Sequence, residues 1–366
     1  MINRIISGYT RSNVRVPETM SMGFKIGDLD VLPGTTGFGH LVGNHRGAGD
    51  LKIPITVVNG AKSGPVLGIT AAVHGCEYNG VITCVTLGRD LDPKQLTGTL
   101  VLVPVANPPA FDTRTPFYNP LDGVNLNRVF PGNPYGSSSE QIAHALYQNV
   151  ILRSDVYIDL HSGDMYEEIP LHTGINRVGD ADLDAKAEKI ARLFDMNLLC
   201  IMGKGIDDVG ATMETEGMTF AGLRSGLTSC GNAALAGKPA VLIEAGGMGT
   251  VEPRVVDIEI RGIHNVMKYM GMLSGSPDTS LNHTPCYGMY IVKTKLGGLY
   301  TPDVACGDIV KKGQRLGTMM DIRGRRIAEY HSPMEGFVLM MYTTPVRASG
   351  ETIVILGRLT EKPESH

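Results

Sequence analysis

The chain has 366 residues, of which 42% are hydrophobic and 19% are charged, and its formal net charge at pH 7 is −4. This composition is ordinary for a folded globular protein and excludes a disordered or fibrous chain. Because the net charge is slightly negative, nothing in it favours nucleic acid or an anionic membrane as a partner, and we expect a small-molecule substrate.

The N-terminal stretch "MINRIISGYTRSNVR" lacks the apolar core of a signal peptide. No run of about 18 apolar residues, as a membrane-spanning helix requires, occurs in the sequence. The six cysteines form no CxxC pair and lie in apolar stretches, which favours reduced, buried thiols. We therefore expect a cytoplasmic protein. Residues 1–45 are consistent with an edge strand, a long loop or an oligomer contact, so a homo-oligomer is left open.

Residues 46–275 alternate apolar, β-branched runs with segments of helical periodicity, which predicts an α/β sheet covered by helices on both faces. Two helices are indicated, at 137–152 and 181–195. The first begins with Ser137 three residues before Glu140, the spacing of a capping box. The four clearest strands are "PVLGITAAV" (65–73), "GTLVLVPVA" (98–106), "SDVYIDL" (154–160) and "KPAVLIEA" (238–245).

Polar residues with metal or acid–base chemistry follow these strands. His74 and Glu77 follow the first strand, Asn107 the second, His161 the third, and Glu244 lies at the end of the fourth. Ligands of open α/β sheets bind at the carboxyl ends of the strands, so we expect these side chains to lie close together.

Two histidines and one glutamate form a standard ligand set of catalytic zinc, with the fourth position left to water. His74, Glu77 and His161 supply that set, which predicts one Zn²⁺ per chain. Glu244 is then a spare carboxylate that can act as general base toward water and as general acid toward a leaving amine. Asp159 precedes His161 by two residues and can orient its imidazole.

Five ordered motifs resemble the succinylglutamate desuccinylase/aspartoacylase family, which has a zinc carboxypeptidase-like fold. They are "HGCEYNG", "ANPPAFDTRTPF", "DGVNLNRVFPG", "DLHSG" and "IEAGG", and the resemblance covers roughly residues 65–250. It implies that His74, Glu77 and His161 bind zinc, that Glu244 is the catalytic acid and base, and that a mixed sheet is flanked by helices. The implied activity is hydrolysis of the amide bond of a small N-acyl amino acid.

The resemblance further implies roles for a group of polar residues between the second and third strands. Arg114 is expected to polarise the scissile carbonyl or to bind substrate, and Asn127 and Arg128 are expected to hold a substrate carboxylate, with Asn125 as a weaker candidate. Independently of the family, a guanidinium pairs with a carboxylate through two parallel hydrogen bonds and stays charged at physiological pH.

Residues 276–366 lose helical periodicity and carry short strand-like segments with glycine turns, which predicts a small all-β domain. "CGDIVKKGQRLG" and "SPMEGFV" resemble turns of a lipoyl- or biotinyl-type barrel sandwich. The tight turn has Met334 and Glu335 in place of the lysine that carries a prosthetic group. We expect this domain to be a lid or specificity element.

Two subgroups of the family fit the chain: the desuccinylases of arginine breakdown and the N-acetyl-diaminobutyrate deacetylases. A diaminobutyrate substrate has an additional ammonium, for which Asp112, Asp122 and Asp164 are candidate partners. His172 follows the segment EEIPL and is a candidate to approach the cleft, but a structural role is the favoured expectation.

Two other functions are kept open: a metallocarboxypeptidase acting on peptide C-termini, and a non-catalytic binding protein of the same fold. Phosphate loops of the GxxxxGK[ST] type and GxSxG elbows are absent from the sequence, which argues against nucleotide binding and serine hydrolysis.

Overall fold

A computed structural model describes residues 23–44, 49–206, 213–215, 218–222 and 227–361. Within these ranges the chain forms twenty-one strands and six α-helices. The helices are α1 (Asn79–Asp90), α2 (Pro108–Thr113), α3 (Ser138–Leu146), α4 (Ala181–Ala191), α5 (Ser229–Leu235) and α6 (Pro253–Tyr269). The strands are β1 (Phe24–Ile26), β2 (Leu29–Val31), β3 (Thr35–Asn44), β4 (Leu51–Asn59), β5 (Lys62–Ala71), β6 (Thr97–Val103), β7 (Val156–His161), β8 (Glu167–Glu168), β9 (His172–Arg177), β10 (Leu198–Gly203), β11 (Met213–Thr215), β12 (Met218–Gly222), β13 (Ala240–Glu244), β14 (Thr284–Thr294), β15 (Gly298–Pro302), β16 (Ile309–Val310), β17 (Arg315–Met320), β18 (Arg326–His331), β19 (Gly336–Tyr342), β20 (Val346–Arg347) and β21 (Thr352–Arg358).

One large mixed sheet runs through the molecule. Its main path has the order β16-β19-β21-β14-β10-β9-β13-β7-β5-β6-β4-β3. The pairs β5–β6, β5–β7 and β7–β13 are parallel, so the carboxyl ends of β5, β6, β7 and β13 lie at the same edge. Strand β9 joins β13 in the antiparallel sense and β10 in the parallel sense. The four strands expected from the sequence are present, with ends shifted by a few residues.

Helices cover both faces of this sheet, as predicted from the alternation of apolar runs with segments of helical periodicity. Buried side chains of α1, α4 and α6 pack in one core with Leu67, Ile69 and Val241. Helices α3 and α5 pack on the opposite face in a second core that contains Tyr157 and Ala240. Each fully buried aliphatic side chain of this kind contributes about 1.5–3 kcal/mol through removal from water. Consecutive residues of one strand, such as Ala240 and Val241 of β13, therefore pack against helices on opposite faces of the sheet.

The capping box that begins α3 is present: the Ser137 hydroxyl accepts from the Glu140 backbone, and the Glu140 carboxylate accepts from the Ser137 backbone. Beyond Leu146, however, the chain continues as a π-helical turn, Tyr147–Ile151, where the sequence predicted a regular helix to residue 152. Helix α4 ends at Ala191, four residues before the predicted end at 195. Local signals therefore located the starts of these helices better than their ends.

The C-terminal strands form antiparallel sheets that pack on one another. Strands β14, β21 and β19 extend the large sheet beyond β10. A second sheet has the order β18-β17-β15-β20. A shared core lies between the two sheets and contains Tyr290, Tyr300, Leu316, Tyr330 and Val338. The predicted fold class, a mixed sheet flanked by helices with a C-terminal all-β part, is confirmed.

The N-terminal segment expected as an edge strand or loop falls partly on residues 1–22 and 45, outside the described ranges. Of the remainder, β1 and β2 form a hairpin, and β3 is the terminal strand of the main path, paired with β4. The division of the chain at residues 45 and 275 stays a prediction. Among the described helices, none has both the length and the apolar character required to cross a bilayer.

Glu259 provides a test of how α6 packs against α1. Its side chain is fully buried and accepts a hydrogen bond from Thr83 Oγ1 at 2.5 Å, and burial raises the pKa of this carboxyl from 4.5 to about 8. Between these two values the folded state keeps a proton that the unfolded state releases. The wild-type free energy of unfolding should therefore fall as pH rises, by up to about 1.4 kcal/mol per pH unit from this residue alone.

We therefore expect Glu259→Gln to be more stable than the wild type at pH 8 and the difference to shrink toward pH 5. Urea unfolding of both proteins at pH 5, 6.5 and 8 measures this difference. A stability difference that does not change with pH would contradict the protonated state of the buried carboxyl.

Candidate active site

The turn that follows β5 carries the first two predicted metal ligands. Ala72 has a left-handed backbone, with φ 48°, which directs the chain out of the sheet before His74 and Glu77. Asn107, at the end of the neighbouring strand, holds this turn in place: its backbone N donates to Ala72 O, and its Nδ2 donates to Val73 O, each at 3.1 Å. Asn107, at the end of the second predicted strand, therefore holds in place the turn that carries His74 and Glu77.

Gly75 is required in this turn by a close approach of two backbones. A Cβ at this position would lie 2.2 Å from Ala110 O, in α2. A larger residue at position 75 would therefore move α2 away from the turn that carries the histidine and the glutamate.

His161 and Glu244 are the last residues of β7 and β13. They are direct partners in the parallel register, so their side chains lie side by side on the same face of the sheet. Gly163 N donates to Gly246 O at 2.9 Å and Ala245 N donates to His161 O at 3.1 Å, which keeps the two strand ends together beyond the sheet.

His74, Glu77 and His161 converge on one point, as the strand ends predicted. His74 Nδ1 lies 2.7 Å from Glu77 Oε1, and His161 Nδ1 lies 2.8 Å from Glu77 Oε2. One ligand atom of each residue lies within 4.8 Å of the others. Despite the short distance to His161, Oε2 of Glu77 is buried and has no hydrogen-bond partner of acceptable geometry among the described residues. Its direction fits a shared cation better than it fits a hydrogen bond.

The far nitrogens of both imidazoles are occupied by side-chain oxygens. Asp159 Oδ2 lies 3.0 Å from His161 Nε2, and Asn125 Oδ1 lies 3.2 Å from His74 Nε2. Asp159 is itself held by the hydroxyls of Thr70, at 2.6 Å, and Ser229. Acceptors on the outer nitrogens leave both Nδ1 atoms free to face a metal, which is the usual second layer of a histidine metal site. The donor set therefore fits zinc.

The ionisable side chains of this cluster strongly affect the pKa values of one another. Burial disfavours ionisation of Glu77, but the charges of His161 and His74 outweigh it and lower the pKa of Glu77 to about 2. Burial likewise opposes the charged form of His161, but Glu77 and Asp159 raise its pKa well above the usual value. Two carboxylates thus surround the buried imidazole, an environment that favours a cation.

Two adjoining cavities of about 150 and 90 Å³ open beside this cluster. Both are lined by His74, Arg128, Glu244 and Met289. Burial, reinforced by the nearby negative charges of Glu77 and other carboxylates, raises the pKa of Glu244 well above its usual value although His161 lowers it. Glu244 thus faces the same space as the three metal-ligand candidates without belonging to their group.

The predicted substrate residues lie at different distances from this space. Arg128 is half-buried, and its guanidinium donates to Asn127 O at 2.7 Å. Asn127 lines the smaller cavity, but its Oδ1 already accepts from Ser229 N at 2.9 Å. Asn125 lines the larger cavity and also accepts from Asn127 N at 2.9 Å, which begins the 3₁₀ turn Leu126–Arg128.

Arg114 is exposed and has a left-handed backbone, with φ 52°, at the end of α2. It lines neither of the two cavities. A direct role toward a substrate carbonyl would therefore require its side chain to move toward the cavities.

The three aspartates considered for a substrate ammonium line neither cavity. Asp112 is exposed, Asp122 accepts from the backbone and hydroxyl of Ser139, and Asp164 accepts from Phe117 N at 2.8 Å. Asp112 thus faces solvent, Asp122 stabilises local structure, and Asp164 stabilises the loop that contains Phe117.

Three polar residues that line the larger cavity received no functional role from the sequence: Ser162, Glu167 and His172, the last of which was expected to be a structural residue. His172 is the first residue of β9 and pairs with Glu244 across the antiparallel register, which places it next to the spare carboxylate. Strand β8 is two residues long, and β9 follows it after three residues without a clear apolar alternation. The sequence therefore contained no periodic pattern that could have predicted Glu167 or His172 beside the cavity.

The C-terminal strands supply the apolar wall of the larger cavity. Met289, Leu339, Met340 and Ile355 all line it. This arrangement is compatible with the lid or specificity role expected for residues 276–366, which stays a prediction.

Comparison with known proteins agrees with this geometry. Residues 63–270 match the model of the succinylglutamate desuccinylase/aspartoacylase catalytic domain. The N-alpha-acetyl-L-2,4-diaminobutyric acid deacetylase of Halomonas elongata is 30% identical over 330 residues, which cover 86% of this chain and 87% of that protein.

Solved structures of similar proteins show the same fold. A succinylglutamate desuccinylase/aspartoacylase from Rhodobacter sphaeroides is 26% identical, with a TM-score of 0.73 and coverage of 88% of this chain and 95% of that one. The product-bound ectoine utilization protein EutE (DoeB) of Ruegeria pomeroyi is 25% identical, with a TM-score of 0.74 and the same coverage.

The contact between Asp159 and His161 allows a test of the metal centre. We expect Asp159→Asn to weaken zinc binding by roughly 10- to 100-fold, because the charge that orients the imidazole and increases its basicity is lost. Competition with a chromophoric chelator measures the affinity. Asp155→Asn, at the entry to the same strand and remote from the ligands, serves as the control and should bind zinc as the wild type does. Equal affinity of the Asp159 variant and the control would contradict the orienting role.

Proposed function

The chain belongs to the succinylglutamate desuccinylase/aspartoacylase family, and on that basis we propose that it hydrolyses the amide bond of a small N-acyl amino acid with the help of zinc. The observation that carries the proposal is that Glu244 and Arg128 line both adjoining cavities, together with His74 and Glu77 in the larger and His74 and His161 in the smaller. A metal group, a spare carboxylate and a cation for a substrate carboxylate are the three parts that such a reaction needs.

His74, Glu77 and His161 would hold the zinc through the Nδ1 atoms of the histidines and the carboxylate of the glutamate. When bound, zinc supplies a Lewis acid that polarises the amide carbonyl and lowers the pKa of water toward about 7. The hydrogen bonds of Asp159 and Asn125 to the outer nitrogens fix the orientation of both rings.

Glu244 would carry the proton during the reaction. Its carboxylate takes a proton from the attacking water and delivers it to the nitrogen of the departing amine. Burial raises the pKa of Glu244 above its usual value, which favours the protonated carboxyl that the second of these steps needs. The neighbouring apolar side chains Met289 and Leu242 limit the access of bulk water to this carboxylate.

Arg128 would bind the carboxylate of the amino-acid part. It is half-buried beside Glu244, where a guanidinium–carboxylate pair is stronger than at an exposed position. Asn127 and Asn125 would support this binding indirectly, since both hold the backbone turn that carries Arg128. Arg114 would act only after its side chain turns inward, as an additional donor to the carbonyl oxygen.

The substrate that the relatives favour is an N-acetylated diamino acid. The protein from Halomonas elongata is named for N-alpha-acetyl-L-2,4-diaminobutyric acid, and we extend that class of substrate to this chain. The cavity of about 150 Å³, bounded by C-terminal side chains such as Leu339, suits a small molecule better than the C-terminus of a peptide. The same complete set of residues favours an enzyme over a non-catalytic binding protein.

The proposal is tested with a panel of N-acetyl and N-succinyl amino acids that includes acidic, diamino and neutral members. Release of primary amine by the zinc-loaded enzyme at neutral pH is the measurement. We expect selective hydrolysis of one member. If no member of the panel is hydrolysed and C-terminal residues are cleaved from peptides, a metallocarboxypeptidase is favoured instead.

Glu244→Gln tests the role of the spare carboxylate. We expect kcat to fall by about 100- to 10,000-fold, because glutamine cannot accept or return the proton. Zinc content should remain equal to that of the wild type, since Glu244 lies outside the ligand group. Metal analysis and kinetics of the same preparation check both statements, and activity within tenfold of the wild type would remove Glu244 from the mechanism.

A further inference from the structure

We propose that Thr70, Tyr157 and Ser229 are positioning residues of the metal centre. Their hydroxyls hold the carboxylate of Asp159 in the orientation that fixes the imidazole of His161. This inference rests on the proposed function and adds to it a layer of residues that lies behind Asp159.

Asp159 determines which nitrogen of His161 carries a proton. An ionised carboxylate can only accept, so the Nε2 atom that lies 3.0 Å from Asp159 Oδ2 is the donor of this contact. Nδ2 of Asn127 also approaches Nε2, but at the longer distance of 3.4 Å. In the neutral ring the lone pair is then on Nδ1, the atom that faces Glu77. A rotation of the Asp159 carboxylate would remove this control.

Thr70 holds the other oxygen of the carboxylate. Thr70 and Asp159 are direct partners in the parallel register of β5 and β7, so their side chains lie on the same face of the sheet. Thr70 Oγ1 donates to Asp159 Oδ1 at 2.6 Å. Because Oδ1 is held by the neighbouring strand and Oδ2 contacts His161, the plane of the carboxylate is fixed.

Tyr157 sets the direction of the Thr70 hydroxyl. The hydroxyl oxygens of the two side chains lie 2.5 Å apart. Since Thr70 has one hydroxyl proton and donates it to Asp159, the hydrogen bond between the two hydroxyls is donated by Tyr157. A directed chain of hydrogen bonds therefore runs from Tyr157 through Thr70 to the carboxylate that contacts His161.

Ser229 holds the same carboxylate from the helical layer. It is the first residue of α5, and its hydroxyl donates to Asp159 Oδ2, the oxygen that also contacts His161. Its backbone N donates to Asn127 Oδ1 at 2.9 Å. The start of α5 is therefore bonded both to the carboxylate behind the metal ligand and to the turn that carries Arg128.

The chain from Tyr157 to Asp159 is shielded from water. Thr70, Tyr157 and Asp159 are each 0% exposed, and Tyr157 belongs to the apolar core that α3 and α5 form with the sheet. Hydrogen bonds are stronger in such an environment, and solvent cannot replace a donor that is lost. Removal of the Thr70 hydroxyl should therefore affect the position of His161.

The zinc affinity of the folded protein tests this role, and competition with a chromophoric chelator measures it. Thr70→Val has nearly the same shape but lacks the hydroxyl, and we expect it to weaken zinc binding by about 5- to 30-fold. Ser229→Ala should weaken zinc binding by a similar factor. Thr70→Ser keeps the hydroxyl and should stay within about twofold of the wild type.

Two outcomes of this measurement would overturn the proposal. One is a zinc affinity of Thr70→Val and Ser229→Ala equal to that of the wild type. The other is an equal loss of affinity in Thr70→Ser and Thr70→Val, which would assign the effect to packing of the threonine methyl group.

Ser154→Ala is the matched control. Ser154 is buried five residues before Asp159, its hydroxyl donates to Val150 O at 2.7 Å, and it lines neither cavity. Its loss should lower the free energy of unfolding but leave the zinc affinity unchanged. If Ser154→Ala weakens zinc binding as much as Thr70→Val does, the cause is general destabilisation and the positioning role is overturned.

A double-mutant cycle tests whether Thr70 acts through Asp159. The carboxylate is absent from Asp159→Ala, so adding Thr70→Val to this variant should change the zinc affinity by less than about twofold. A further loss as large as that in the wild-type background would overturn the proposal. Hydrolysis of an N-acyl amino acid by the wild type would still support the proposed function, whereas a wild type that neither binds zinc nor hydrolyses any member of the panel would overturn both.

Discussion

The carboxylate of Glu77, buried between two imidazoles, is the constraint on which the rest of the site depends. Its side chain is 3% exposed, and a charge in such a position is strongly destabilising unless it is matched by cations and hydrogen bonds. His74 and His161 provide the match, but they come from turns and strands 87 residues apart in the chain. The parallel pairing of β5 with β7 brings them to one sheet edge, and Asn107 and Asp159 hold the resulting geometry.

The C-terminal strands line one side of the larger cavity beside this centre. Because β14 pairs with β10 and the large sheet continues through β21 and β19, the C-terminal part is joined to the catalytic part by backbone hydrogen bonds as well as by side-chain packing. The ring of Tyr166 lies 5.9 Å from that of Phe117, which lines the larger cavity, and 5.4 Å from that of Tyr342 in β19, so aromatic contacts also join the two parts.

Much of the site could be predicted because its chemistry is concentrated at strand ends, where short sequence distances suffice. His74 and Glu77 are three residues apart, Asp159 and His161 two, and each group follows a recognisable apolar strand. Glu167 and His172 escaped prediction because β8 and β9 have no clear alternation, and their approach to the cavity depends on pairing with β19 and β13. Asp122 was a candidate from the sequence to bind a substrate ammonium, but its carboxylate accepts hydrogen bonds from the backbone and hydroxyl of Ser139.

The sequence by itself determined the class of fold and which residues are candidates for metal binding and proton transfer, since apolar periodicity sets strands and helices and residue type sets ligand and acid–base chemistry. Only the tertiary structure decided which polar side chains face the cavity and which are already bonded elsewhere. Arg114 lies exposed at the end of α2, Arg128 lies half-buried beside Glu244, and Nε2 of His172 is buried without a partner among the described residues. The physical reason is that hydrogen bonds and burial join residues far apart in the chain, whereas local sequence patterns report only on near neighbours.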